Sequence, residues 1–239
     1  MAQEWSTWAD SLGTALGLGA PPIAITFAPA PPAGVPEFAE PIAPSAPDGR
    51  TGRVPAGCVF WMKAVDQTFA TVADDHGNCS VGSLTHGFVT LDEVASNDDV
   101  AALFDSGWVS PDVVPEIPTV SERPGAIVYG PLADTPTDPT VVLLRVTAAQ
   151  LMVLADAVPD LHIGGKPQCH IVALATERHL VAASTGCALS RERTGMSPEE
   201  MTVAIPGGRV REVVERLART RSADDAVAAY AAEDSRRFA

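Results

Sequence analysis

The residues of this chain with the most specific chemistry are its four cysteines, Cys58, Cys79, Cys169 and Cys187, in 239 residues. A thiolate is a nucleophile and a ligand for soft metals, whereas a protonated thiol in a core behaves as a small hydrophobe. The cysteines bound two segments, CVFWMKAVDQTFATVADDHGNC (58–79) and, within Gln168–Arg191, QCHIVALATERHLVAASTGCALSR. Twenty residues separate the first pair and seventeen the second. Neither is a C-x-x-C knuckle of the kind that builds a zinc ribbon or a ferredoxin run. Spacing therefore leaves three chemistries open: unrelated core thiols, a metal or cluster site, and a reactive thiol.

Other side chains could serve such a site. Arg191 follows Cys187 by four residues, so on a helix the two share a face, where a guanidinium could stabilise a thiolate or an anionic ligand. Lys63, one of only two lysines, lies in the Cys58 segment, and Gln150 falls on the first turn of an expected helix, where it either caps or touches a ligand. His76 and His170 stand near cysteines, but adjacent helical residues point about 100° apart. Cys169 and His170 would not readily bind one ion, and both histidines read as polar loop or surface residues. Asp74 and Asp75 read as a solvated turn. The chain contains no Walker sequence, dinucleotide-binding G-x-G-x-x-G or G-x-S-x-G elbow.

The elements that must position these residues alternate in type. Trp5, Trp8, Leu12 and Leu16 recur at helical spacing and predict a helix over 4–16, and IAITF (23–27) predicts a strand. Eight prolines between Pro29 and Pro55 predict an irregular surface loop, at about 28–57. Cys58, Met62, Val65 and Phe69 fall on one face of a helix expected over 58–71. The stretch 74–87 is expected to be a loop carrying Cys79. Thr90 and Glu93 form a capping box ahead of a helix over 94–104.

Strands are expected at GAIVYGPL (125–132) and TVVLLRV (140–146), the latter apolar enough to be buried on both faces. Thr147 and Gln150 form a second box for a helix reaching about Val158. A helix over 169–175, a strand over 180–184 and a loop at Gly186–Cys187 follow. The strand 201–205 leads to a helix with Val210, Val213, Val214 and Leu217 inward, and Ser222 is expected to cap a last helix. This order predicts a single α/β (or α+β) domain, a mixed sheet flanked by helices.

Bulk composition narrows the class. The chain is 46% hydrophobic and 19% charged, enough to build a core, and its formal charge of −14 opposes binding to nucleic acid or anionic membranes. The first residues have neither a basic segment nor an apolar run of the signal-peptide kind, and no stretch approaches the roughly 20 apolar residues of a membrane span. The sequence reads as that of a soluble cytoplasmic protein, in which thiols stay reduced.

A set of segments in a fixed order, PPIAITF, AGCVFWMKA, NCSVGS, TVVLLRVTAAQLMVL, QCHIVAL, STGCALSR and MTVAIPGG, resembles the family called domain of unknown function 169, an uncharacterised archaeal conserved-region family. The resemblance spans most of the chain. It implies that all four cysteines, Gln150 and Arg191 occupy positions typical of the family, and it implies no reaction. It does weigh against four unrelated core thiols. Four dispersed thiolates suit a buried cluster of [4Fe–4S] type better than zinc, whose structural sites gather ligands in close pairs. The expectation is a metal centre on Cys58, Cys79, Cys169 and Cys187, with Arg191, Gln150 and Lys63 as candidate cofactor contacts. Val172, Met62 and Phe69 are expected as its apolar walls. A redox role with a small molecule or an electron-transfer partner would follow. Structural zinc, a thiol enzyme and a small-ligand module remain the alternatives.

Overall fold

In the computed structural model of the chain, residues 2–39, 52 and 54–238 are described. The strands are β1 (Ile23–Ala28), β2 (Phe69–Thr71), β3 (Ala126–Pro131), β4 (Val141–Val146), β5 (His162–Gly164), β6 (Ala182–Ser184) and β7 (Met201–Pro206). The helices are α1 (Ala2–Leu16), α2 (Cys58–Lys63), α3 (Ser80–Thr85), α4 (Leu91–Val94), α5 (Asp98–Asp105), α6 (Ala148–Ala157), α7 (His170–Arg178), α8 (Ala188–Thr194) and α9 (Val210–Ser235).

The period of two in β4 organises the whole. Val141 and Leu143 point to one side of the sheet, Val142 and Leu144 to the other, and all four are fully buried. A strand buried on both faces needs a layer of helices on each. The seven strands form one sheet in the order β2-β3-β1-β4-β7-β6-β5, with β5 and β6 parallel and the other pairs antiparallel. The architecture is α/β, a mixed sheet with helices on both faces.

On one face Leu12 and Leu16 of α1, Leu151 and Leu154 of α6, and Val213 and Leu217 of α9 pack on Val142, Leu144, Val203 and Ile205. Burial of each such side chain contributes about 1.5–3 kcal/mol. On the opposite face α2 and α7 bring Phe60, Trp61, Ile171, Val172 and Leu174 onto Ile25, Ile127, Tyr129 and Leu143. The cysteines belong to this second layer, where Cys58 and Cys169 pack at the margin of the cluster.

Several elements differ from their expected form. The helix beginning at Cys58 ends at Lys63 rather than Thr71, because Phe69–Thr71 pairs as β2 with β3 and Phe69 lies opposite Tyr129. The expected loop around Cys79 contains the helix α3. The helix expected over 94–104 is two helices, α4 and α5, with Asn97 at the start of the second. Ser222 starts no new element; α9 runs through it. Of the proline-rich loop at 28–57, residues 40–51 and 53 lie outside the described residues. No described helix is long and apolar enough to cross a membrane.

Candidate functional site

Each cysteine stands at the start of a helix. Cys58 is the first residue of α2, following Gly57; Cys79, Cys169 and Cys187 are the N-caps of α3, α7 and α8. The first few N–H groups of a helix have no partner within it, and a side-chain acceptor there fixes the chain entry. The sulfur of Cys79 takes that role for Gly82 N–H at 3.4 Å, and the sulfur of Cys187 for Ser190 N–H at 3.3 Å. These two thiols are thus held by helix starts, not by the loops expected for them. Gly186, at φ +96°, turns the chain into Cys187 through a conformation that favours glycine.

The four helix starts converge. Cys58, Cys79, Cys169 and Cys187 line one cavity together with Ala56, Gly82, Trp108, Leu189, Ser190 and Arg193, and Pro167 and Gln168 complete the wall beside Cys169. All four thiols are partly buried. The space left between them is about 30 Å³ for the centres of water-sized atoms, enough for a water or two.

Electrostatics records the same convergence. Burial pushes the Cys58 thiol up to about 12, opposed by the Ser190 hydroxyl and raised further by Cys79 and Cys187. Burial likewise raises Cys79, against the Gly82 N–H and the Arg193 charge. Cys169 is held well above the ordinary thiol value by burial first and then by Cys79, Cys187 and Cys58, with the Thr85 hydroxyl opposing. These three thiols stay protonated near neutrality unless a cation joins them, and a protonated thiol is a poor nucleophile.

Two buried polar atoms at this wall lack partners among the described residues. Gln168 and Ser190 are each 2% exposed, and Gln168 Oε1 and Ser190 Oγ have no hydrogen-bond partner among the described residues. Ser190 Oγ lies near enough to Cys58 to offset its burial, yet in a geometry short of a hydrogen bond. Nearby, the hydroxyl of Tyr129 is buried and has no hydrogen-bond partner among the described residues, and burial, Cys169 and Cys58 all hold it well above the usual phenol range. Buried polar groups without partners cost stability.

The remaining sequence candidates lie elsewhere. Arg191 does not line the cavity: its guanidinium donates to the carbonyls of Ser197 at 2.5 Å, Thr185 at 2.9 Å and Glu200 at 2.8 Å, tying α8 to the approach of β7. The cation of the cavity is Arg193, two positions on. Gln150 closes a capping box with Thr147 and donates to the Gly17 carbonyl at 2.7 Å, joining α6 to the end of α1 on the opposite face of the sheet. Lys63 is in the last turn of α2 and is not among the cavity-lining residues. Of the expected walls, Met62 lines a neighbouring void with Arg145, while Val172 and Phe69 pack in the core.

His76 is fully buried rather than a loop residue, donating through Nε2 to Thr71 Oγ1 at 3.0 Å, since that hydroxyl donates to the Ile127 carbonyl. His170 is buried also, and its Nδ1 donates to the Pro167 carbonyl. Trp108, Ser190 and Arg193 escaped sequence reasoning. Ser190 and Arg193 share the short helix after Cys187, but Trp108 reaches the cavity from a distant turn.

Among the described residues, no group of three or more His, Cys, Asp or Glu side chains is arranged to hold a metal ion. The family model for domain of unknown function 169, described as uncharacterised ArCR, matches residues 11–216. No curated protein and no solved structure matches the chain.

Proposed function

The chain belongs to the domain of unknown function 169 family, and on that premise we propose that it binds an iron–sulfur cluster of [4Fe–4S] type through Cys58, Cys79, Cys169 and Cys187. One observation carries the reading: four thiols from four separate helix starts line a single cavity. When bound, such a cluster supplies one-electron redox chemistry or an iron site for a substrate.

The chain's own residues suit that occupant in charge and in donors. Cluster iron would draw the protons from the raised thiols, as metal binding to cysteine does. Gly82 and Ser190 N–H groups already hold two of the sulfurs, and hydrogen bonds to ligating sulfur tune the potential of such a centre. Arg193 offsets residual negative charge at the wall. Trp108 and Leu189 limit the access of water. A single zinc ion would require the four sulfurs to close to about 2.3 Å from one point. Ligands dispersed over four separate helix starts, with no C-x-x-C pair among them, favour a polynuclear group.

Anaerobic purification followed by an absorption spectrum and assays for iron, sulfide and zinc tests the reading. Brown protein with iron and acid-labile sulfide, both lost in Cys169→Ser, is the expected result. Colourless protein carrying one zinc per chain would replace the cluster by a structural ion. Folded chain that takes up neither, even after reconstitution with iron and sulfide, overturns the metal reading. Rapid alkylation of a single cysteine in that sample would then favour a thiol enzyme over a small-ligand module.

A further inference from the structure

A second, larger cleft stands against the cysteine cavity. It offers about 470 Å³, within the range of small-molecule sites. Trp108 and Pro167 line both spaces, so these two residues form a common wall. The first turn of α7 serves both as well: Cys169 lines the cavity, and His170, the next residue, lines the cleft. The angle between neighbouring helical residues, which separates the two side chains, lets one turn supply two sites.

The charge of the cleft runs against that of the molecule. The chain holds 30 acidic and 16 basic residues, and several of its arginines are committed to carboxylates. Arg123, Arg145, Arg209, Arg211, Arg216 and Arg221 each form such a pair. Lys166 and Arg178 line the cleft, and neither pairs with a carboxylate among the described residues. Lys166 lies over the Trp108 ring, its Nζ 4.9 Å from the centroid. Exposed His162 adds a further donor, and the one acidic residue in the lining is exposed Glu116.

The rest of the wall is apolar. Trp108, Val109, Val113, Ile117, Pro118 and Leu174 face the space. Inside, the Nδ1 of His170 is committed to the Pro167 carbonyl, which leaves Nε2 as an acceptor on the inner wall. Two unpaired cations at an open rim and an apolar interior specify an elongated ligand with opposite ends of different character.

We propose that this cleft binds an organic carboxylate with a flat apolar body, the carboxylate between Lys166 and Arg178 and the body along Trp108, Val113 and Leu174. An arginine and a lysine that hold no carboxylate of their own are the natural partners of one that arrives from solution. Such a ligand lies across Trp108 and Pro167 from the cysteines, where a substrate of the redox centre would stand. That last step rests on the proposed function; the binding itself does not.

Isothermal titration of the full chain with 1-naphthaleneacetate, 1-naphthaleneacetamide and 1-naphthylmethylamine tests it, since the three share one body and differ in charge. The carboxylate is expected to bind one per chain with Kd below about 1 mM. The amide is expected to bind at least about tenfold more weakly, and the amine not measurably. Lys166→Met with Arg178→Met should weaken the carboxylate by a similar factor and leave the amide unchanged, in protein of unaltered melting temperature. Trp108→Ala should weaken both. Equal affinity for acid and amide, indifference to the double substitution, or no saturable binding of the acid overturns the proposal. The same affinities are expected with the cysteine cavity loaded or empty, so failure of this proposal is separate from failure of the cluster reading.

Discussion

Arg191 and Arg193 sit two residues apart on α8 and have opposite duties. Arg191 makes three charge-assisted hydrogen bonds to backbone carbonyls of the segments that flank α8. Arg191→Ala should therefore cost about 2–4 kcal/mol of stability in denaturant unfolding, while metal content per folded chain stays constant. Arg193→Ala should do the reverse: a small change in stability, with a more negative reduction potential or lower occupancy of whatever the cysteines bind. Metal lost from Arg191→Ala and kept in Arg193→Ala, with potential unmoved, would show that the two assignments are exchanged. Sequence spacing favoured Arg191 because four residues on a helix bring side chains together. What it could not register is that Cys187 is the cap, so its sulfur turns back over the first turn while Arg191 reaches the loop before β7.

The buried histidines add a residue-scale prediction about pH. Burial pushes His86 down from 6.5 to about 4, and burial, helped by His86, also lowers His76. Above about 6.5 neither the folded nor the unfolded chain carries these protons, and the stability of neutral packing is fully present. As pH falls from about 6.5 toward about 4, only the unfolded state binds the His86 proton, so stability declines through that window. The melting temperature of His86→Phe should fall less steeply over that range than that of the natural chain. Parallel curves would mean that His86 is charged in the folded state.

Among the elements, those with a strong period were legible and those defined by pairing were not. The helix α1, the core strand β4 and the box-capped α6 appear within two residues of their expected ends, because apolar period and cap chemistry agree there. The strand β2 was hidden in a false helical period: Phe69 has the right spacing from Val65, but its position opposite Tyr129 is a long-range fact. Edge strand β5, His162–Gly164, is exposed and has no alternation to read. Helix α3 is six residues with a glycine and two serines, a composition that by itself reads as loop. All four cysteines were identified, but that each begins a helix was legible for only two. The partners that share their cavity come from turns whose placement only the sheet decides.

Core and connection at this scale can be tested by two substitutions. Leu12 of α1 is fully buried against the sheet, so Leu12→Ala should cost about 2–5 kcal/mol and leave ligand and metal binding per folded chain intact, since the layer carrying the sites is the other one. Gly207 follows β7, and a methyl group added there would stand 1.9 Å from the Pro139 carbonyl oxygen. Backbone cannot yield as a side chain does, so Gly207→Ala should lower the melting temperature by several degrees at least. A variant as stable as the natural chain would mean that the turn at Pro139 shifts freely.

For the molecule as a whole, the sheet separates a structural layer from a chemical one. Helices α1, α6 and α9 supply a continuous apolar layer, whereas α2, α3, α7 and α8 carry every cysteine at their starts. The buried positions of α9 stop at Leu217, and the family match stops at residue 216. Beyond it, Val227 and Tyr230 are each 66% exposed. Removing residues 222–239 should then leave the melting temperature within about 3 °C, given how weakly exposed residues contribute. A larger loss would reveal an undetected partner for that half of the helix.

The dispersion of the cysteines along the chain also sets an order of events. Cys58 and Cys79 are synthesised long before Cys169 and Cys187, and strands β5 and β6, next to the later pair in the chain, close the far side of the sheet. Non-local pairing is the slow part of folding. No subset of the chain ending before α8 contains all four cysteine-bearing helix starts, so the cavity is a late product of folding. Its Trp108 wall is shared with the open cleft.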